Sequence, residues 1–385
     1  MSLPAIIFLA SSAFLIYVLI GYPVALAVWS RLTERPIPKQ FVPRKISIVV
    51  PVRNGAPWIE AKLRSLLDSD YPPELLDILI VSDGSTDATN EIVQACPDSR
   101  VRLLSLPPGG KAVAVTKGLE RVSSEIVVLT DVRQSFDPQA LKKLISCFVD
   151  PSVGVVTGEL VISEGNTREE FNTGLYWKYE KGIRRNLNRI DAMLGATGSI
   201  YAARREAVSS IPSEILLDDV YLPFVAVSRG FRIYFEEEAK AYDLPTSLHS
   251  EFRRKIRTQA GVYQIIRYFP WLLSPLNHRC VHFVSHKLGR LLLPFAMILL
   301  LVSSFGLSDP WRTIVLSCQA AFYLTAIVDS IIPEGMTLKR LSAVVRAFTV
   351  LVAAAFCALA VFVMPAHQLW KETKVAEARG TTGSR

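Results

Sequence analysis

Apolar and polar positions divide the chain into two kinds of territory. Residues 4–29 are almost wholly apolar and carry no charge, and residues 288–307, 311–332 and 341–364 are similarly apolar. Each run approaches the ~20 residues that cross a bilayer as a helix. Between the first and the second, short apolar runs alternate with amphipathic ones. Residues 45–52, 77–81, 101–106 and 125–130 are β-branched or apolar stretches with turn residues close behind several of them, and they read as buried strands. Residues 58–69, 88–95 and 111–121 read as helices. This alternation predicts an α/β fold, a doubly wound and mostly parallel sheet with helices on both faces. No internal repeat interrupts it, and the one low-complexity stretch is the short polar tail 380–385.

Charge gives the apolar runs an orientation. Arg31, Arg35, Lys39, Arg44 and Lys45 follow the first run, which places that side, and the α/β region with it, in the cytoplasm. A cleaved signal peptide does not fit. No basic segment precedes the run, it is too long, and no small-x-small site follows. The expected organisation is a membrane helix over 1–30 and a cytoplasmic domain over 31–262. Interfacial helices follow over 263–287, then about three membrane helices over 288–365 and a tail over 366–385. One crossing before the domain and three after it put the C-terminus outside, whereas Lys371, Lys374, Arg379 and Arg385 favour the inside. Either the charge bias is weak there or one apolar run is re-entrant.

Composition then narrows the partners. Half of the 385 residues are hydrophobic, and the formal net charge is +8. That charge suits anionic membrane lipids and a phosphorylated substrate. Nucleic acid is not expected, because the basic run 253–257 adjoins the membrane segments. Five cysteines, Cys96, Cys147, Cys280, Cys318 and Cys357, form no CxxC pair and read as reduced thiols.

The candidate chemistry sits where strands end. Asp131 closes the run Ile126–Thr130, and a carboxylate at the C-terminal end of a parallel strand points into the ligand crevice of an open α/β sheet. Mg²⁺ usually takes one or two protein carboxylates and completes its shell with substrate phosphates, so Asp131 can supply one ligand. Arg133 can grip phosphate bidentately. Asp83 lies in the turn Ser82–Asp87. Helix capping accounts for Gly84, Ser85 and Asp87 without requiring Asp83, which leaves its carboxylate for a base N–H of a nucleotide. Gly109-Gly110-Lys111 opens a helix, either as an anion site or as a flexible turn with a solvated lysine. The basic residues Arg253–Arg257 are a solvated or lipid-facing helix surface, or they neutralise a departing diphosphate. His278, His282 and His286 share a helical spacing, but no nearby carboxylate completes a metal site.

Taken together, these motifs resemble the processive-type family 2 glycosyltransferases, the membrane enzymes that include cellulose synthase, hyaluronan synthase and ceramide glucosyltransferase. The likeness runs from Ile46 to about Gly261 and extends through Ser285-His286-Lys287. Ile48–Asn54 is similar to the family's opening strand and V-P-x-x-N turn, which implies that Pro51 and Asn54 line the donor site. Ser82-Asp83-Gly84-Ser85-Thr86-Asp87 resembles D-D-G-S-T-D and implies that Asp83 contacts the nucleotide base. Gly110-Lys111-Ala112 resembles the G-K-A segment near the donor diphosphate. The family's D-x-D metal motif is here Asp131-Val132-Arg133, with Arg133 in place of the second Asp. Gly198–Arg205 is similar to the small-residue turn before the acceptor site.

Leu217-Asp218-Asp219 matches T-E-D and implies Asp219 as general base, with Asp218 beside it. Arg254-Lys255-Ile256-Arg257-Thr258 resembles Q/R-x-x-R-W with the tryptophan missing, which places Arg254 and Arg257 on the donor side. The implied fold is GT-A-like. The implied activity is inverting transfer of a sugar from a nucleotide-diphosphate donor, with Mg²⁺ or Mn²⁺, to a lipid, lipid-linked or polysaccharide acceptor at the membrane. A processive synthase that also translocates its polymer is one alternative. A non-catalytic nucleotide-sugar-binding assembly subunit is another.

Overall fold

The computed structural model describes residues 1–162, 168–244, 248–333, 336 and 338–363. The tail 366–385, and with it the side on which the chain ends, lies outside the described residues. An eight-stranded sheet organises the domain: β1 (Ile46–Val52), β2 (Leu76–Asp83), β3 (Val101–Leu106), β4 (Ile126–Leu129), β5 (Ser135–Phe136), β6 (Val153–Ile162), β7 (Tyr201–Arg204) and β8 (Arg232–Asp243). Their order is β3-β2-β1-β4-β7-β6-β8-β5.

The alternation of β-branched residues in β1 and β4 sets which side each side chain covers. Ile46, Ile48, Val50, Ile126 and Val128 enter one core, while Val49, Val127 and Leu129 enter the other. That two-sided burial is what a sheet covered by helices on both faces requires. Helix α1 (Ala56–Leu67) buries Ile59, Leu63 and Leu66 at helical spacing against the first core. Short α2 (Thr89–Gln94) follows β2. Helix α3 (Lys111–Glu120) covers the other face. It approaches closely through Gly118, where an added Cβ would lie 2.5 Å from a Val49 methyl. Helix α4 (Ala140–Ser146), long α5 (Arg168–Arg189), α6 (Asp218–Ser228) and α7 (Leu248–Tyr268) complete the domain.

The sheet is mostly parallel, as the alternation predicts, with β7 and β5 reversed. β3, β2, β1 and β4 are parallel, but β7 runs antiparallel to both β4 and β6, and β5 antiparallel to β8. The sheet is therefore mixed. Its change of direction falls beside β4, the strand that delivers Asp131.

Four helices are long and apolar enough to cross a membrane: Leu3–Leu32, Cys280–Ser304, Trp311–Ile331 and Leu338–Phe362. We call them spans 1 to 4. Span 2 begins at Cys280, eight residues before the apolar run expected from Leu288, because Cys280–Leu288 continues helically into it. Span 1 is fastened to the domain at its end. Tyr22 and Leu26 enter the domain core, and the Ser30 hydroxyl donates to Asn186 Oδ1 on α5 at 3.0 Å.

Candidate active site

The site is a shallow pocket lined by Pro51, Lys111, Thr130, Asp131, Gly198 and Asp218. It lies where the parallel strands end and the antiparallel ones begin. Asp131 follows β4 and keeps a side chain 40% exposed, whereas Asp218 is 8% exposed. The Lys111 ammonium bridges them, 2.8 Å from Asp131 Oδ1 and 3.1 Å from Asp218 Oδ1. Lysine reaches this point because α3 starts at Lys111, immediately after Gly110. Gly110 has φ +90, a left-handed conformation that glycine adopts without cost.

Asp218 and Asp219 are the first two residues of α6. Adjacent strand residues would point to opposite faces, but a helix start lets both approach the pocket. The first turn also carries unsatisfied N–H groups and the positive end of the dipole, which favour carboxylates. Asp219 Oδ2 accepts a hydrogen bond from the Gly198 N–H at 3.1 Å, and the Asp219 carbonyl accepts from Ala196 N at 2.7 Å. Asp219 Oδ1 has no hydrogen bond among the described residues. The Gly195–Ser199 turn thus fixes the carboxylate by one oxygen and leaves the other open. A Cβ at Gly198 would stand 3.1 Å from Asp219 Oδ2, so glycine is what allows this approach.

The environments push the two walls of the pocket apart electrostatically. Burial alone would raise Asp131, but the Lys111 charge and hydrogen bond outweigh it, with Arg257 and Lys62 helping, and its carboxyl is held below the usual range. Asp219 is pushed the other way, up to about 6, first by burial and then by the Asp218 charge. Burial would lower Lys111, yet Asp131, Asp218 and Asp219 together hold it above the ordinary lysine value. Nearby, the Tyr201 hydroxyl is buried without a hydrogen-bond partner among the described residues, in the field of Asp218, Asp219 and Asp131.

Not every residue singled out by the sequence converges here. Asp83 gives both carboxylate oxygens to the loop before α3. Gly109 N donates at 2.6 Å to Oδ1, and Gly110 N donates at 2.9 Å to Oδ2. Its observed role is to pin that loop. Asn54, at φ 52, accepts from Thr86 N at 2.9 Å through Oδ1, so it ties the turn after β1 to the turn after β2. Arg133 turns to Asp243 at 2.5 Å and not to Asp131. Arg257 and Asp219 interact electrostatically, as do Arg257 and Asp131. Arg254 lies on the same helix, α7, with its carbonyl accepting from the Thr258 hydroxyl. The three histidines contact different partners: His278 the Asp191 carbonyl, His282 the Tyr22 hydroxyl, and His286 the Glu180 carboxylate.

A metal has one evident protein ligand. Among the described residues no group of three or more His, Cys, Asp or Glu side chains gathers. Asp131 Oδ2 has no hydrogen bond among the described residues, and the side chain is partly exposed. One open carboxylate oxygen fits a divalent ion whose remaining ligands are substrate phosphates and water. It does not fit an ion held by protein alone.

Lys62 is not among the residues singled out from the sequence. It sits on the core face of α1, 1% exposed, and donates to Thr130 Oγ1 and to the Gln134 carbonyl, both at 2.7 Å. Its ammonium also lies 4.1 Å from the centre of the Phe136 ring. Burial pushes it down to about 7, against the pull of Asp131. Thr130 Oγ1 also donates to the Ser199 carbonyl at 2.6 Å. Lys62 therefore clamps both ends of the loop bearing Asp131 and links it to the turn that holds Asp219. Its position at i+3 from Ile59 was the available signal, a lysine falling within an apolar stripe.

Residues 47–211 match the family described as Glycosyl transferase family 2. The chain is 27% identical over 310 residues to an N-acetylglucosaminyltransferase of Rhizobium meliloti (strain 1021), covering 74% of this chain and 70% of that protein. It is 24% identical over 229 residues to the poly-beta-1,6-N-acetyl-D-glucosamine synthase of Staphylococcus aureus (strain COL), covering 57% of this chain and only 55% of that protein. The fold is shared with a mannosyltransferase from Pyrobaculum calidifontis solved in complex with GDP-Man and Mn²⁺. The superposition has a TM-score of 0.69 at 19% identity and covers 92% of this chain and 97% of that one.

Proposed function

From the premise that residues 47–211 form a glycosyl transferase family 2 domain and that the protein is a glycosyltransferase, we propose that it transfers a sugar from a nucleotide-diphosphate donor to a lipid or lipid-linked acceptor at the cytoplasmic membrane surface. N-acetylglucosamine is the first sugar to test, because the names of both curated relatives carry it. The observation that supports the reading is one pocket in which Lys111 bridges Asp131 and Asp218, with Asp219 beside it on the N–H of the lining residue Gly198.

In this reading Asp219 is the general base. Its open Oδ1 takes the proton of the acceptor hydroxyl, and the acceptor oxygen attacks the anomeric carbon as the bond to the donor diphosphate breaks. The proton ends on Asp219, and the departing diphosphate carries the electron pair. A carboxylate near pKa 6 is ionised at neutral pH and still basic enough to accept a proton. Lys111 and Arg257 supply fixed positive charge where the leaving group develops its negative charge. Gly198 aims the base, and Lys62 holds the donor-side loop, so that both reactants are positioned together. A Mg²⁺ or Mn²⁺ ion, when bound, would neutralise donor phosphates with Asp131 as its protein ligand.

One observation favours a second acceptor class. The Staphylococcus aureus relative is named for a polymer, which supports repeated transfer to a growing chain. The experiment that separates the cases uses the purified full-length protein in bilayers with a lipid extract. It is offered radiolabelled UDP-N-acetylglucosamine, UDP-glucose or GDP-mannose with Mn²⁺. Label in one small organic-soluble product supports single transfer, and label in a sized polymer supports the processive reading. Label recovered only in the unreacted donor contradicts both.

A further inference from the structure

The turn that holds Asp219 is itself held from outside. Thr197 sits in that turn, 6% exposed and one residue before Gly198. All three of its polar groups are engaged. Its N–H donates to Thr157 Oγ1 on β6 at 2.8 Å, and its carbonyl accepts from Ile200 N at 2.9 Å. Its hydroxyl accepts from Arg184 Nη1 at 2.5 Å. The first two bonds stay within the sheet half that carries the turn. The third comes from α5.

Helix α5 is braced on two sides. Toward the sheet, Asn188 Nδ2 donates to the Phe235 carbonyl of β8 at 3.2 Å, and its Oδ1 accepts from Phe235 N at 2.7 Å. Toward the spans, Tyr179 donates its hydroxyl to the Leu19 carbonyl of span 1 at 3.0 Å, and Glu180 pairs with Arg290 of span 2. Arg184 therefore stands on a fixed support. The bland explanation makes it one more charge on the polar face of α5. Its neighbours fit that description: Lys181 lies 2.6 Å from Glu159 Oε1, and Arg185 Nε donates to Glu237 at 2.6 Å. Partly exposed pairs of that kind contribute little. Arg184 differs in what it holds, a buried hydroxyl next in sequence to the N–H that binds Asp219. A hydrogen bond from a charged donor is also about twice as strong as a neutral one.

The path to the base is short. Arg184 bonds Thr197, Thr197 precedes Gly198, and the Gly198 N–H donates to Asp219 Oδ2 at 3.1 Å. We propose that Arg184 is a positioning residue for the base: by holding Thr197 it fixes the Gly198 N–H, and with it the aim of Asp219 Oδ1 at the acceptor hydroxyl. This rests on the reading of Asp219 as general base and adds to it a residue that acts without touching either reactant. The leverage is large for a single bond, because a misplacement of about 1 Å at the reacting groups can cost about 10²-fold in rate.

The test is transfer by the purified full-length protein in bilayers with a lipid extract and Mn²⁺, using whichever of UDP-N-acetylglucosamine, UDP-glucose and GDP-mannose gives product. Arg184→Gln and Thr197→Val should each lower kcat about tenfold or more and keep the donor KM within about twofold. Loss of a hydrogen bond to the ionised base favours its protonated form. In both variants the acid midpoint of kcat should therefore move above the wild-type value of about 6. The charged and titratable groups that interact with Asp219, namely Asp218, Lys111, Asp131, Arg257, Lys287 and Tyr201, are the same in both variants, and Thr197→Val alters no charge. Both variants remove one bond, so the double variant should be no worse than the poorer single one. Arg184→Lys should recover part of the rate and Thr197→Ser most of it. Arg185→Gln, which breaks the neighbouring pair to Glu237, should leave the midpoint in place. A Thr197→Val protein with wild-type kcat and midpoint would overturn the inference, as would effects of Arg184→Gln and Thr197→Val that multiply in the double variant. Asp219→Asn, assayed alongside, separates this inference from its premise. If it is inactive, those results strike Arg184 alone. If it transfers like the wild type, the base assignment falls and this inference with it, and no product from any of the three donors contradicts both.

Discussion

The two walls of the pocket come from halves of the sheet built on different rules. The donor wall, Pro51, Lys111 and Asp131, rests on β1 to β4, where parallel strands alternate with helices. The acceptor wall, Gly198 and the Asp218-Asp219 pair, rests on a turn before β7 and on the first turn of α6, where strand direction reverses. Their electrostatics differ as sharply as their architecture. Asp131 is held ionised by Lys111, whereas Asp219 is pushed up to about 6. Two carboxylates driven apart by their surroundings are suited to two tasks, one static and one that takes a proton. The lesson is that Lys111, belonging to the donor wall but touching the acceptor wall at Asp218, couples the halves.

The largest effect should come from removing the proton acceptor. Asp219→Asn should lower kcat by roughly 10²–10⁴-fold in a radiolabel transfer assay. Next is the coupling cation. Lys111→Met should lower transfer by about 10²-fold, comparable to the loss of one preorganised electrostatic donor, and should weaken UDP binding as well. An effect confined to one of these two readouts would break the claim that the lysine serves both walls. Lys62→Met leaves the buried Gln134 carbonyl without its donor, at a cost of about 1–3 kcal/mol. It should lower the unfolding midpoint in urea and raise the donor KM more than it lowers kcat.

The smallest effect is a shift along the pH axis. In the proposed mechanism the base Asp219 acts unprotonated, so kcat should fall as pH drops through about 6 and level off above it. Asp218→Asn removes the like charge beside the base, so the midpoint should move to lower pH. A midpoint that stays in place, or rises, would contradict the like-charge account.

The contrast also explains what was legible in the sequence. β1, β2 and β4 announce themselves because strands buried on both faces read as continuous apolar runs, and glycine- or proline-rich turns separate them. The direction of β7 is not written in its side chains, since Tyr201–Arg204 would bury equally well in either sense. The mostly parallel order is therefore legible, and the reversal at β7 is not. Asp131 and Asp219 were recognisable from strand-end position and from the resemblance, and the helix start that lets Asp218 and Asp219 converge was anticipated as a requirement. Asp83 and Asn54 are expected on the donor side, and the structure adds a bond from loop backbone to each. An acidic or amide side chain in a turn looks the same in either role. Lys62 was missed because a lysine in an amphipathic helix ordinarily faces solvent.

The central claim is the division of labour between Asp131 and Asp219. It is tested most directly by measuring UDP affinity and sugar transfer in parallel for Asp131→Asn and Asp219→Asn in the full-length protein with Mn²⁺. The account predicts a crossed result. Asp131→Asn weakens UDP binding about tenfold or more and no longer responds to EDTA, while Asp219→Asn binds UDP within about twofold of wild type and does not transfer. Equal loss of UDP affinity in both variants, or transfer by Asp219→Asn at the wild-type rate, would contradict it.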